Sequence, residues 1–324
     1  MPLNLGVLII RIINSRQWIP ITKLLLIKSF HQKLIRKCIY IVKNLVLYSS
    51  SICGFSGAKN IGIGPSGNTL LQLNKNYPMG HKGTIIELPK DNTIFKHVRL
   101  RGTWELEESK FLACGLQKAG GIKFKVAFLD IGANTGLVAL QVINIAGSNA
   151  DIFLFEPVPR HAFAISQNLK SLPNTHLNEF ALSDKNGEAE IFTDTLNHGN
   201  TSLFNSAAPF AEIKTQIKLV DTLEYCSDFL KIFDSFVIKS DTQGMDALIL
   251  SRIPNWIWHK CECAVIEVWA LPEINKKHVE NLLVKIQKFE FIDWTPKSQK
   301  KIAFHEISEF WLNKSGAQRN LFLS

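Results

Sequence analysis

No aspartate or glutamate occurs in the first 86 residues, and the first acid in the chain is Glu87. The same stretch carries 11 of the 37 lysines and arginines, so residues 87–324 set 26 positive against 28 negative charges. The net charge of +9 is therefore a property of the N-terminal segment alone. Cysteine is also sparse. The six cysteines form neither a C-x-x-C pair nor a metal quartet, which excludes a zinc-stapled or disulfide-framed domain and leads us to expect reduced thiols, no metal and a cytoplasmic setting. Only Cys261 and Cys263 are close, and strand alternation would point them the same way. Long hydrophobic runs are missing too. The longest charge-free apolar stretches, "PLNLGVLII" and "NLVLYSSSICGFSGA", fall short of the ~18 to 20 apolar residues of a spanning helix. The start lacks the basic n-region and small-residue cleavage site of a signal peptide.

What the N-terminus has is an amphipathic pattern. Ile27, Phe30, Leu34, Cys38, Ile41, Leu45 and Tyr48 recur at steps of three and four, while Lys28, Lys33, Arg36, Lys37 and Lys43 fall mostly off that stripe. Such a helix suits either an anionic membrane surface, on the cytoplasmic face, or packing against protein. Residues 1–55 are read as a basic amphipathic helical extension. Residues 56–100, rich in Gly, Asn, Ser and Pro, are read as a linker and small β-containing region, and 101–324 as the main domain.

Beyond Lys125, strand and helix alternate, the pattern of a parallel α/β sheet. "VAFLD", "DIFLFE", "HLNEFAL", "SFVIKSD" and "ECAVIEVW" are read as five parallel strands, and "FEFIDW" with "ISEFWLN" as an antiparallel edge pair. Seven strands with the last pair antiparallel make a class I, Rossmann-like sheet.

The first strand runs into "DIGANTG". Asp130 ends it, Gly132 and Gly136 permit a tight turn with close backbone approach to a ligand, and the following helix offers free N–H groups. A dinucleotide site would place glycine where Asn134 stands, so a diphosphate is disfavoured. Glu156 closes the second strand 26 residues later, where a carboxylate can bind both hydroxyls of a ribose, and Asp130 suits an ammonium group. Ribose plus ammonium without phosphate describes S-adenosyl-L-methionine.

Six segments together resemble one family: "GTWELEE" (102–108), "FLDIGANTGLVAL" (128–140), "FEPVPRHAFAISQNL" (155–169), "FALSDKNGEAEIF" (180–192), "IKSDTQGMDALIL" (238–250) and "AVIEVW" (264–269). They are similar to the FkbM-type S-adenosylmethionine-dependent methyltransferases over roughly residues 90–312. The resemblance implies a seven-stranded class I fold and methyl transfer to oxygen, often on a sugar or other secondary metabolite. It also implies that Asp184 meets the adenine amino group. After the fourth strand the family pattern is lysine, aliphatic residue, aspartate, two residues with glutamate second, then glycine. Here Ser240 and Gln243 replace the aliphatic residue and the glutamate, while Asp241 is kept.

The chemistry is in-line displacement at a sulfonium methyl carbon, for which the protein positions a nucleophile and takes its proton. Asp241 and Glu267, ending the fourth and fifth strands, are the candidate bases, each with a structural hydrogen-bonding role as alternative. Asp130, Gly132, Asn134, Gly136, Glu156 and Asp184 are the candidate cofactor residues. Lys239 is read as packing along its stem, and Asn168 as bracing the Glu156 loop or facing solvent. Residues 193–212 form a long loop between core strands that contains His198, and Trp104, Trp269 and Trp294 are candidates for a sugar-stacking wall. Two other readings stay open: a scaffold that binds cofactor without catalysis, motivated by Gln243 and Ser240, and a nucleic-acid methyltransferase. The latter is disfavoured because the main domain is not basic and lacks a D/N-P-P-Y/F tetrapeptide.

Overall fold

The computed structural model describes residues 56–120, 124–194, 197–204, 211–295, 298–313, 315 and 317–324. All lie in one compact unit, Ser56–Ser324. The basic extension of residues 1–55, with its apolar stripe from Ile27 to Tyr48, is outside the described residues, as is the side chain of Trp294.

Three short strands open the unit: β1 (Ala58–Ile63), β2 (Thr69–Leu73) and β3 (Ile85–Leu88) form an antiparallel meander. Helices α1 (Ile94–Arg101) and α2 (Leu106–Ala119) follow. The buried side chains of the meander, among them Leu71, Leu73, Ile86 and Leu88, share a core with Leu112 of α2 and Phe128 of the central sheet.

The central sheet is built from β4 (Val126–Ile131), β5 (Asp151–Phe155), β6 (Thr175–Asn178), β10 (Ser235–Ser240), β11 (Cys261–Trp269), β12 (Phe291–Thr295), β13 (Ser298–Lys301) and β14 (Gln318–Leu323). Its order is β13-β12-β14-β11-β10-β4-β5-β6. Strands β6, β5, β4, β10 and β11 run parallel, and β14 runs antiparallel to both β11 and β12. With β13 set aside as an added edge strand, this is the seven-stranded class I order. The hydrophobic pattern explains why the parallel strands lie inside. All six residues of β4 are buried, with Ala127, Leu129 and Ile131 facing one core and Val126 and Phe128 the other. Helices α3 (Leu137–Ala146) and α4 (Pro159–Asn168) follow β4 and β5, the latter opening on proline, whose fixed φ suits a first turn. Beyond β10 and β11 come α6 (Asp246–Arg252), α7 (Asn255–His259) and α8 (Lys276–Ile286).

Four sequence expectations need correction. "ISEFWLN" falls in a helix, α9 (Phe304–Leu312), and the antiparallel partner of β11 is "QRNLFL" in β14. The buried Ile307 and Trp311 stand four apart, a helical spacing, which aromatic enrichment had disguised as a strand. "HLNEFAL" is two strands: β6 ends at Asn178, and β7 (Ala181–Ser183) joins a separate sheet with β8 (Gly187–Asp194) and β9 (Ala211–Asp221), which runs into α5 (Thr222–Phe229). The segment 193–212 accordingly connects the antiparallel pair β8 and β9 rather than two strands of the large sheet. Finally, Cys261 and Cys263 enter opposite cores, because an irregularity in the β10–β11 register after Phe236 breaks the alternation at Glu262.

Candidate active site

The chain leaves β4 toward β5 and β6 on one side and later places β10 on the other, so the switch point lies between β4 and β10. A cavity of about 330 Å³ opens there. Its walls include the 131–135 turn, Glu156, Lys239, Asp241, Gln243 and Glu267.

The turn after β4 is held from several sides. Gly132 and Gly136 adopt φ of 77° and 73°, and Asn134, at 52°, takes a left-handed conformation that asparagine tolerates better than most side chains. A Cβ on Gly132 would meet the Asp241 carbonyl oxygen at 1.9 Å, and one on Gly136 would meet Leu169 Cδ1 at 2.7 Å. The close approach that these glycines permit is thus to β10's exit and to Leu169, and of the two only Gly132 also lines the cavity. Asn168, buried on α4, donates from Nδ2 to the carbonyls of Thr135 and Glu87 at 2.9 Å, and its Oδ1 accepts from Glu87 N–H at 2.7 Å. It braces the glycine turn against β3 rather than the Glu156 loop.

Glu156 is buried and already engaged. Its Oε2 accepts from Asn134 N–H at 2.8 Å and its Oε1 from Val158 N–H at 2.9 Å, while His161 Nδ1 lies 3.5 Å from Oε1. It both fixes the turn and lines the cavity, and each oxygen retains a lone pair for a further donor.

Asp130 is placed differently from the sequence expectation. It is completely buried and absent from the cavity wall. Its side chain faces Lys239 at 3.5 Å, so it serves as the counter-ion of a buried lysine rather than as a contact for a ligand's ammonium. Burial pushes the Asp130 carboxyl up against the opposing pull of Lys239. Lys239 is itself no surface snorkel. Burial would lower its ammonium, but Asp130, Asp241, Glu105 and Glu267 outweigh that and hold it protonated.

The two candidate bases are brought together by a residue that the family pattern marked as a departure. Gln243 Nε2 donates to Asp241 Oδ1 at 2.6 Å and to Glu267 Oε2 at 2.7 Å. Trp269 Nε1 also donates to Glu267 Oε2 at 2.7 Å, and Gln318 Nε2 donates to Oε1. Burial and the nearby Asp241 raise the Glu267 carboxyl well above the usual range. Ser240, the second departure, donates to Asp246 Oδ1 at 2.5 Å, and burial pushes Asp246 up to about 6. A serine at this position thus satisfies a buried acid at the start of α6.

Asp184 is not brought to the cavity. It is exposed, receives a hydrogen bond from Ser183 at 3.3 Å and does not line the wall. His198 is buried, with its backbone N–H donating to Asp91 Oδ2 at 3.1 Å and its carbonyl accepting from Asn134 Nδ2 at 3.2 Å. Burial lowers its imidazole to about 4, so it stays neutral. Trp104 lines the cavity, whereas Trp269 serves Glu267 as a hydrogen-bond donor. Glu105, not singled out by sequence, lines the cavity as well.

The donor set fits S-adenosyl-L-methionine. The wall sets the carboxyl groups of Glu105, Glu156, Asp241 and Glu267 against Lys239 and no arginine among the described residues, a lining poorly suited to a diphosphate. Asn134 Oδ1, Thr242 Oγ1 and Gln243 Oε1 are buried without a hydrogen-bond partner, on residues that line the cavity.

Scans against protein-family models and curated protein sequences return no match. Among solved structures, the chain is similar to precorrin-6y C5,15-methyltransferase from Geobacter metallireducens GS-15 (14% identity, TM-score 0.32, covering 67% of this chain and 87% of that one). It is similar to Aeropyrum pernix fibrillarin in complex with natively bound S-adenosyl-L-methionine (11%, 0.35, 82% and 99%). It is also similar to the fibrillarin pre-rRNA processing protein of Methanococcus jannaschii (13%, 0.33, 83% and 96%). The fold class rests on the strand order itself.

Proposed function

We propose that the chain is an FkbM-type S-adenosyl-L-methionine-dependent methyltransferase acting on a hydroxyl of a sugar, glycan precursor or other small metabolite. The observation that carries this reading is the acid network at the carboxyl ends of β10 and β11: Asp241 and Glu267, joined through Gln243, at the wall of the cavity that also contains the glycine turn and Glu156. When bound, the cofactor supplies an activated methyl carbon. Asn134 and Glu156 hold the ribose side of the site. Glu267 takes the proton of the acceptor hydroxyl, helped by the raised affinity for protons that burial and Asp241 give it. Gln243 and Trp269 fix the orientation of that carboxylate. The basic N-terminal segment would tether the enzyme reversibly to the cytoplasmic face of an anionic membrane, near an acceptor on a lipid-linked precursor.

Incubating the purified chain with S-adenosyl-L-methionine and a panel of glycans and hydroxylated metabolites, followed by mass spectrometry, tests the reading. The expected result is one acceptor that gains the mass of a methyl group, with loss of that product in Glu267→Gln. Tight binding of S-adenosylhomocysteine without turnover on any acceptor would favour a non-catalytic scaffold, and methylation of a nucleic acid instead would replace the hydroxyl reading.

A further inference from the structure

Fully buried behind the cavity wall, Asp130 leaves any cationic group of the ligand without the partner that the strand-end pattern assigns to it. Another acid reaches the cavity. Glu105 precedes α2 with φ 42° and ψ 53°, a left-handed backbone that strains a residue with a side chain. Two fully buried residues impose that conformation. Gln141 grips the neighbouring Trp104 on both sides, its Oε1 accepting from Trp104 N–H at 3.1 Å and its Nε2 donating to the Trp104 carbonyl. Ser109 Oγ donates to the Glu105 carbonyl at 2.9 Å and accepts from Gln141 Nε2 at 2.9 Å. A buried glutamine and serine thus hold one strained glutamate in place.

The carboxylate so placed lines the cavity and makes no hydrogen bond or ion pair with another described residue. Its electrostatic neighbours are Lys239, Asp241, Glu108 and Asp130, and Lys239 is itself within ion-pair distance of Asp130 and Asp241. We propose that Glu105 is the residue that holds the ammonium of the ligand's amino-acid end. This rests on the S-adenosyl-L-methionine reading above. Burial, against the pull of Lys239, pushes the Glu105 carboxyl up to about 8, so a cation arriving beside it meets a group whose charged form lacks compensation. The strain and the unpartnered acid are both features that binding would use and that folding alone does not require.

Calorimetric titration of the full chain separates this role from the rest of the site. S-Adenosylhomocysteine carries the ammonium, whereas 5′-methylthioadenosine has the same adenosine thioether without it. Glu105→Gln should weaken S-adenosylhomocysteine at least about tenfold and leave 5′-methylthioadenosine unchanged. Glu105→Gly, which suits the positive φ, should give the same selective loss and guards against misfolding of the glutamine variant. Equal losses for both ligands, or undiminished S-adenosylhomocysteine binding in folded variants, would overturn the role of Glu105 alone. A wild-type chain that binds neither ligand would overturn the cofactor reading, and this role with it.

Discussion

Gln243 Nε2 lies 2.7 Å from Glu267 Oε2, placing an amide donor against a buried carboxylate where the family pattern has a second acid. The same nitrogen reaches Asp241 Oδ1 at 2.6 Å, so one neutral donor bridges two acids that repel each other. Gln243 is therefore a member of the acid network and not a gap in it.

Gln243→Glu should convert that donor into a third acceptor. The folded state would then have to take up a proton, and losing the donor costs about 1–3 kcal/mol of stability. A carboxyl raised in the folded state favours folding at low pH and loses that contribution as pH rises through its folded pKa. The melting-temperature deficit against wild type should therefore be larger at pH 8 than at pH 6. In the methyl-transfer assay, the rate of the wild type should climb with pH as Glu267 becomes free to accept a proton, and the variant's climb should start higher. Equal melting deficits at both pH values would rule out the added acid being buried among the other two.

Glu156 holds the turn through two backbone N–H groups, and the proposed function gives it a second role at the ribose that its variants should separate from the first. Glu156→Gln keeps one carbonyl acceptor for the turn, whereas Glu156→Ala orphans the N–H groups of Asn134 and Val158. Both should bind S-adenosylhomocysteine roughly tenfold to a hundredfold more weakly, but the alanine variant should also lose about 1–3 kcal/mol of stability. Calorimetry paired with urea unfolding checks both, and wild-type affinity in folded Glu156→Gln would remove the ribose contact from the site.

Gly132 and Gly147 offer a matched pair for the turn. Both have positive φ, 77° and 61°, but a Cβ on Gly147 meets nothing within 4 Å while one on Gly132 meets the Asp241 carbonyl at 1.9 Å. Gly147→Ala should cost only the backbone strain, about 1–2 kcal/mol. Gly132→Ala should cost clearly more and displace Asp241, so activity should fall as well. Comparable unfolding free energies for the two variants would show that the turn can move away from β10.

These residues also show what the sequence could and could not reveal. The alternation of apolar strands with helices revealed the parallel strands of a class I sheet, because strands buried on both faces leave a continuous hydrophobic signature, as β4 does, whereas the antiparallel edge was misread because the apolar spacing of α9 resembled a strand. Asp241, Glu156, Gly132 and Asn134 could be placed together from sequence because strand ends at a switch point converge on one crevice, and they line the same cavity. Asp130 was misplaced because sequence locates a strand end but not which side chains a neighbouring lysine will cover. Glu105 was missed for a different reason. An acid at a helix start reads as a favourable interaction with the helix dipole, and nothing local announces a left-handed backbone imposed by Gln141, 36 residues away.

The N-terminal 86 residues carry 11 cations and no acid, and in the sequence an apolar pattern recurs from Ile27 to Tyr48 with Lys28, Lys33, Arg36, Lys37 and Lys43 mostly off it. No helix among the described residues is long and apolar enough to cross a membrane. An amphipathic surface helix gains from apolar insertion and from roughly 1 kcal/mol for each cation near anionic lipid, and the electrostatic part is screened beyond about 8 Å at physiological ionic strength. Flotation of the full chain with vesicles containing anionic lipid should therefore recover it at low salt and release much of it at high salt. A full-length variant with Lys28, Lys33, Arg36, Lys37 and Lys43 changed to glutamine should float poorly at both, while neutral vesicles should recover little of either protein. If the variant floats as well as wild type on anionic vesicles at low salt, those cations do not drive attachment, and the apolar stripe must instead pack against protein.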